Sequence, residues 1–155
     1  MPKTVMWIVV ADGAKAHIVR QPRTGAPLEA VPGADFVNPE TGRTRELGTD
    51  KPGRSIDSMG GGRSSMENVD WHRYEKKRFA HGIAERLETA AETDAFHKLV
   101  LVAPPETLGE MRLKLGKHAK AKVCAEIAKD LTGVAMADLA NHLGDVVRVA
   151  EKRGA

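Results

Sequence analysis

Apolar residues in this chain come first in unbroken runs and later in helical stripes, and a long polar stretch separates the two patterns. Residues 4–11 (TVMWIVVA) are nearly continuous and rich in β-branched side chains, as a strand buried on both faces requires. Asp12-Gly13 is a turn pair that favours positive φ, and residues 15–20 (KAHIVR) form a second run, so the two predict a hairpin. A short third strand is expected near residues 28–31 or near residues 35–37, in a segment broken by Pro22, Pro27 and Pro32. Residues 38–66 then show no sustained apolar period and carry Gly60-Gly61-Gly62-Arg63. They read as a long glycine-rich loop, and a compact domain seldom keeps a structureless segment of this length without a functional or disorder reason.

The strongest helical pattern follows. Ser64 to Glu67 has the S-x-x-E form of a capping box, with Asp70 as a second candidate N-cap. Phe79, Ala80, Ile83, Ala84, Leu87, Ala90 and Ala91 fall on one stripe with Trp71 two turns upstream, which predicts a helix packed on the sheet to about Thr93. Residues 98–103 (KLVLVA) are a second fully apolar strand, stopped by Pro104-Pro105. Pro105 suits a first helical position, and Leu108, Met111 and Leu115 mark a short amphipathic helix ended by Gly116. Residues 117–122 (KHAKAK) read as a basic connector, and Val123, Ala125 and Ile127 alternate as in an outer strand. Leu139, Leu143, Val146 or Val147, and Ala150 mark a last helix, weakened at Gly144.

The order β-β-(β)-loop-α-β-α-β-α predicts one α/β domain over residues 1–155. It would be a mixed sheet of about five strands with three helices covering both faces, as in ribonuclease H-like folds. At 155 residues the chain is long enough for one proper core, and 4% aromatic content makes that core aliphatic. The formal charge is only +3, but residues 98–122 hold six Lys/Arg against Glu106 and Glu110, a local +4 that leaves −1 for the rest. The single cysteine, Cys124, excludes an internal disulfide and is expected to be a buried, inert thiol of a reducing compartment. The apolar start is about half a membrane span and has no convincing cleavage site, so a cytoplasmic protein is expected.

The residues exclude several chemistries. A two-metal nuclease needs converging carboxylates, and only Asp12 ends a strand; the other apolar strand ends in Ala103-Pro104. The six histidines and one cysteine show no paired ligand spacing, so no metal or other cofactor is expected. A phosphate-binding P-loop would need Lys-Ser/Thr after its last glycine, where Arg63-Ser64 stands. What the glycines Gly60, Gly61 and Gly62, Arg63 and a following helix can do is approach a phosphate closely. Arg73, Lys76, Lys77 and Arg78, then Lys114, Lys117, Lys120 and Lys122, add two basic surfaces able to hold phosphates.

Two resemblances refine this reading. MWIVVADGAKAHIV, TDKPGRSIDSMGGGRSSME, RFAHGIAERLETA, LVLVAPPETLGEMR and EIAKDLTG occur in the order seen in the bacterial host attachment protein family, which the chain resembles over nearly its whole length. More remotely, Gly61-Gly62-Arg63-Ser64-Ser65 before a basic helix is similar to the middle domain of archaeal and eukaryotic release factors and of Pelota-type proteins. In release factors a Gly-Gly-Gln loop on a ribonuclease H-like core directs hydrolysis of peptidyl-tRNA. Gly61 and Gly62 match those glycines, and Arg63 replaces the glutamine. Arginine binds phosphate but cannot place water as a neutral amide does. The resemblance therefore implies a non-catalytic RNA- or ribosome-associated factor whose residues 49–66 engage RNA. The alternatives are a protein–protein interaction module acting indirectly in attachment, and a weak peptidyl-tRNA or ester hydrolase.

Overall fold

The computed structural model describes residues 4–39 and 61–147, with residues 61–70 and 145 described by backbone alone. Strands β1 (Met6–Ala11) and β2 (Lys15–Gln21) form the expected hairpin, Ile8 opposite Val19 and Val10 opposite His17. Asp12 closes its turn, Oδ1 accepting the amides of Ala14 at 2.7 Å and Lys15 at 2.8 Å. One strand, β3 (Glu29–Val37), covers both places where a short third strand is expected. It does so by letting residues 31–34 bulge out between the pairs His17–Asp35 and Val19–Ala30, with Gly33 at φ +73°.

Helix α1 (Gly61–Glu92) leads to β4 (Lys98–Val102), α2 (Pro105–Lys114), α3 (Lys117–Lys122), β5 (Val123–Ile127) and α4 (Met136–Leu143). The sheet order is β3-β2-β1-β4-β5, with β4 parallel to β1 and β5 parallel to β4. Central β1 and β4 are buried on both sides, which is why their sequences are unbroken apolar runs. On one face, Val9, Leu99 and Leu101 pack under Ala80, Ala84 and Leu87 of α1, Met111 of α2 and Ala119 of α3. On the other, Ile8, Val10 and Val100 meet Leu139 and Leu143 of α4. Gly144, at φ +60°, ends α4, where the apolar pattern predicts a helix that continues past it in weakened form.

Four expectations change. Gly61, Gly62 and Arg63 are the first residues of α1, so Ser64 to Glu67 lie inside the helix rather than capping it; residues 40–60, including Gly60 and most of the expected loop, lie outside the described residues. Adding a turn to an established helix gains a hydrogen bond per residue, which offsets the poor propensity of glycine. Cys124 is exposed: the alternation that half-buries Val123, Ala125 and Ile127 turns it outward. Among the described residues there are four helices rather than three, because residues 117–122 are helical and not a connector.

That extra helix is made by a contact from afar. α3 has no side-chain cap of its own. Glu88 of α1 supplies one, Oε1 accepting the amide of Ala119 at 2.8 Å and Oε2 that of His118 at 3.3 Å. The carboxylate fits because residue 116 is glycine; a Cβ there would lie 2.6 Å from Glu88 Oε1. Gly116→Ala is expected to cost about 1–3 kcal/mol by overpacking, read as a lower urea midpoint at unchanged slope. The Ala119 amide, followed by His118, holds the Glu88 carboxyl below its usual range. A depressed folded-state value means that the stabilisation is present above the unfolded value and lost as pH falls through the folded one. The gap between Gly116→Ala and the parent should therefore narrow in acid; a constant gap would show that Glu88 does not cap α3.

Candidate functional site

The carboxyl ends of β1 and β4 lie side by side where the sheet changes from the antiparallel hairpin to parallel crossovers, the place where α/β sheets open crevices. A cleft of about 420 Å³ lies there, lined by Asp12, Gly13, Lys76, Glu106 and Thr107. Asp12 is committed within the chain: beyond its turn contacts, Oδ2 accepts the hydroxyl of Thr132 at 3.0 Å. Lys76 lays its stem along Gly13, where a Cβ would come within 2.8 Å of Cγ and Cδ. Buried Asn38 binds this corner to α1. Its amide donates to Ala14 O at 2.8 Å, and Nδ2 donates to Gly13 O at 3.1 Å and to Glu75 O at 3.3 Å.

From this corner α1 presents an exposed row. Trp71 and Tyr74 are 46% and 53% exposed, with ring centroids 6.0 Å apart. Arg78 places its guanidinium 5.9 Å from the Tyr74 centroid, so the spacing i, i+3, i+7 lines up two aromatic rings and a cation. Arg73 and Lys77 are exposed beside them, with no ion-pair partner among the described residues. Trp71 is thus not part of the packed stripe. On the inner side of the same turns Glu75 is 4% exposed. Its Oε1 lies 3.5 Å from Arg78, and Oε2 has no hydrogen-bond partner among the described residues.

The expected basic residues divide into two groups. Arg73, Lys76, Lys77 and Arg78 lie on the first half of α1, near the carboxyl ends of the strands. Lys114, Lys117, Lys120 and Lys122 lie where α3 meets Glu88, a position reached from Lys76 by 12 residues of helix, or about 18 Å. The second group is interleaved with acids. Lys122 binds Asp94 at 3.0 Å, holding that carboxyl low by its hydrogen bond and charge, and Arg112 forks onto Glu126. Lys114, Lys117 and Lys120 stay exposed and without an ion-pair partner among the described residues. Glu88, Glu92 and His118 bring three potential metal-ligand atoms within 4.8 Å of one another, but both Glu88 oxygens already accept α3 amides.

Sequence reasoning missed Trp71, Tyr74 and Glu75. The spacing of Trp71, Tyr74 and Arg78 could have signalled an aromatic row with a terminal cation. Glu75 left no signal, standing in a charged run that reads as solvated. Residues 7–143 match the model of a family described as protein required for attachment to host cells. A comparison with curated proteins gives no match. Among the described residues no helix is long and apolar enough to cross a membrane.

Proposed function

The chain belongs to the family of proteins required for attachment to host cells, and from that premise we propose that it is a non-catalytic RNA- or ribosome-associated factor of the cytoplasm, acting on attachment indirectly. The family description supplies a role in host-cell attachment. The molecular reading is carried by one observation, the exposed row of Trp71, Tyr74 and Arg78 flanked by exposed Arg73 and Lys77. Single-stranded nucleic acid is held in this manner, bases stacking on aromatic faces while cations follow the phosphates. The group formed by Lys114, Lys117 and Lys120 offers a longer strand a second hold.

The sheet supports the kinship behind this reading. β2 alone runs against the other four strands in the order β3-β2-β1-β4-β5, the arrangement of a ribonuclease H-like sheet. Release-factor middle domains carry their working tripeptide just before a basic helix, the place that α1 takes in this reading. Here Gly61, Gly62 and Arg63 open that helix, and Arg63 favours binding a phosphate over placing a water for hydrolysis.

Fluorescence anisotropy with a labelled single-stranded RNA of about 12 nucleotides tests the reading, since this matches the reach of such sites. Affinity should fall steeply between roughly 50 and 200 mM salt, with a slope near −0.7 per phosphate neutralised. Binding that is absent, or indifferent to salt, would overturn it. The second reading, a protein-docking surface, draws on exposed Val37 as well as Trp71 and Tyr74. It predicts association that survives high salt and ignores RNA.

A further inference from the structure

A cavity of about 460 Å³ lies between β3 and α1, directly behind the aromatic row, and is lined by Phe36, Glu75, Arg78, Phe79, Gly82 and Arg86 among others. Its size falls within the roughly 300–1,000 Å³ of small-molecule sites. Three features of the cavity are unexplained by folding. The first is Glu75 Oε2, a buried oxygen with no hydrogen-bond partner among the described residues, which a native structure rarely tolerates without cause. The second is Gly82, in the interior of a 32-residue helix, where glycine weakens the helix relative to alanine. A Cβ there would meet nothing within 4 Å, so packing does not demand the glycine, and its absence of a side chain leaves the cavity open. The third is Arg86, exposed at the mouth, its guanidinium 4.8 Å from the Phe36 centroid and without an ion pair among the described residues.

Together these define a ligand with donors at one end, a flat ring in the middle and an anion at the other. We propose that the cavity binds a guanine nucleotide unit, its base edge on Glu75 and its phosphate on Arg86 and Arg78. Guanine alone among the common bases presents two adjacent N–H donors on its pairing edge, matching the two oxygens of a carboxylate. Adenine and cytosine each place an acceptor beside the amino group, and uracil flanks its single donor with two carbonyls, so each sets an acceptor against a carboxylate oxygen. Glu75 Oε1 is only loosely held by Arg78 at 3.5 Å, so a base can engage both oxygens while Arg78 turns to the phosphate. Phe36 and Phe79 supply apolar faces for the ring. The choice of a nucleotide rests on the RNA-binding reading; the unpartnered oxygen, the open glycine and the free arginine do not.

Isothermal titration of the full chain with GMP, AMP, CMP and UMP tests the site. GMP should bind about ten- to hundredfold more tightly than the others. Glu75→Gln should erase that preference and leave the thermal midpoint unchanged or higher, since Oε2 has no partner among the described residues to lose. Gly82→Leu replaces glycine with a better helix former that fills the cavity, and should abolish GMP binding in a protein that remains folded by circular dichroism. Equal affinity for the four nucleotides, or a Glu75→Gln protein that still prefers GMP, overturns the proposal. Oligouridine bound as tightly as an oligomer containing guanine overturns the pocket and leaves the RNA reading standing. GMP bound where no oligonucleotide binds does the reverse.

Discussion

Cutting Phe96, the largest fully buried side chain among the described residues, back to alanine is expected to lower the unfolding free energy by about 3–5 kcal/mol. Phe96 is completely buried between α1 and β4, with its ring 4.8 Å from that of Trp7 at 36°. It also sits in the connection that reverses the chain. Asp94 adopts φ +57° there, and His97 and Lys98 both donate their amides to Val5 O, at 2.8 and 3.1 Å. Losing the ring leaves a cavity and loosens the one segment that aims β4 into the sheet. A domain of this size is stable by roughly 5–15 kcal/mol, so the variant should unfold at far lower urea with an unchanged slope. A loss below about 1 kcal/mol would mean that the ring does not fill the core as described.

Trp71→Ala combined with Tyr74→Ala should have the largest effect on binding. Stacking on an aromatic face contributes about 1–3 kcal/mol per base, so the pair should weaken single-stranded RNA binding by roughly a hundredfold or more. Both rings are exposed, and stability should stay within about 0.5 kcal/mol for each. The two readouts separate contact from collapse. RNA affinity equal to that of the parent, measured on protein of unchanged thermal midpoint, would remove the row from any role in RNA binding.

What could be read from the sequence follows how local the causes are. β1 and β4 were legible because burial on two faces writes an unbroken apolar run, β2 because a second β-rich run follows the Asp12-Gly13 turn, and the stripe from Ala80 to Ala91 because one face writes a helical period. α3 was not legible. Its six residues are polar except for two alanines, and they become helical only when Glu88, some thirty positions earlier, caps them. β3 was read as one of two short strands because Pro32 and Gly33 look like an end when they form a bulge. At the site, the cations and their division into two surfaces were visible in the sequence, but the distance between the two depends on how α1 and α3 lie together. Trp71 was assigned to the core because periodicity locates a face without saying where along a helix the core stops. Glu75 was hidden for the converse reason: a carboxylate among Lys76, Lys77 and Arg78 looks hydrated, and only the tertiary fold buries it.

The bulge in β3 also bears on how copies of this chain behave towards one another. An open sheet has two borders, and a straight border is a template on which a strand from another molecule can add. On the β3 side, residues 31–34 leave the ladder, Pro32 has no amide to donate and Gly33 turns the backbone into the left-handed region. A foreign strand approaching there could form no continuous run of hydrogen bonds. On the β5 side the border is only five residues long, and charged Glu126 stands on it. Both borders are blunted against strand addition, so the sheet is built to end within one molecule at high concentration, without fibrils seeded from its folded state.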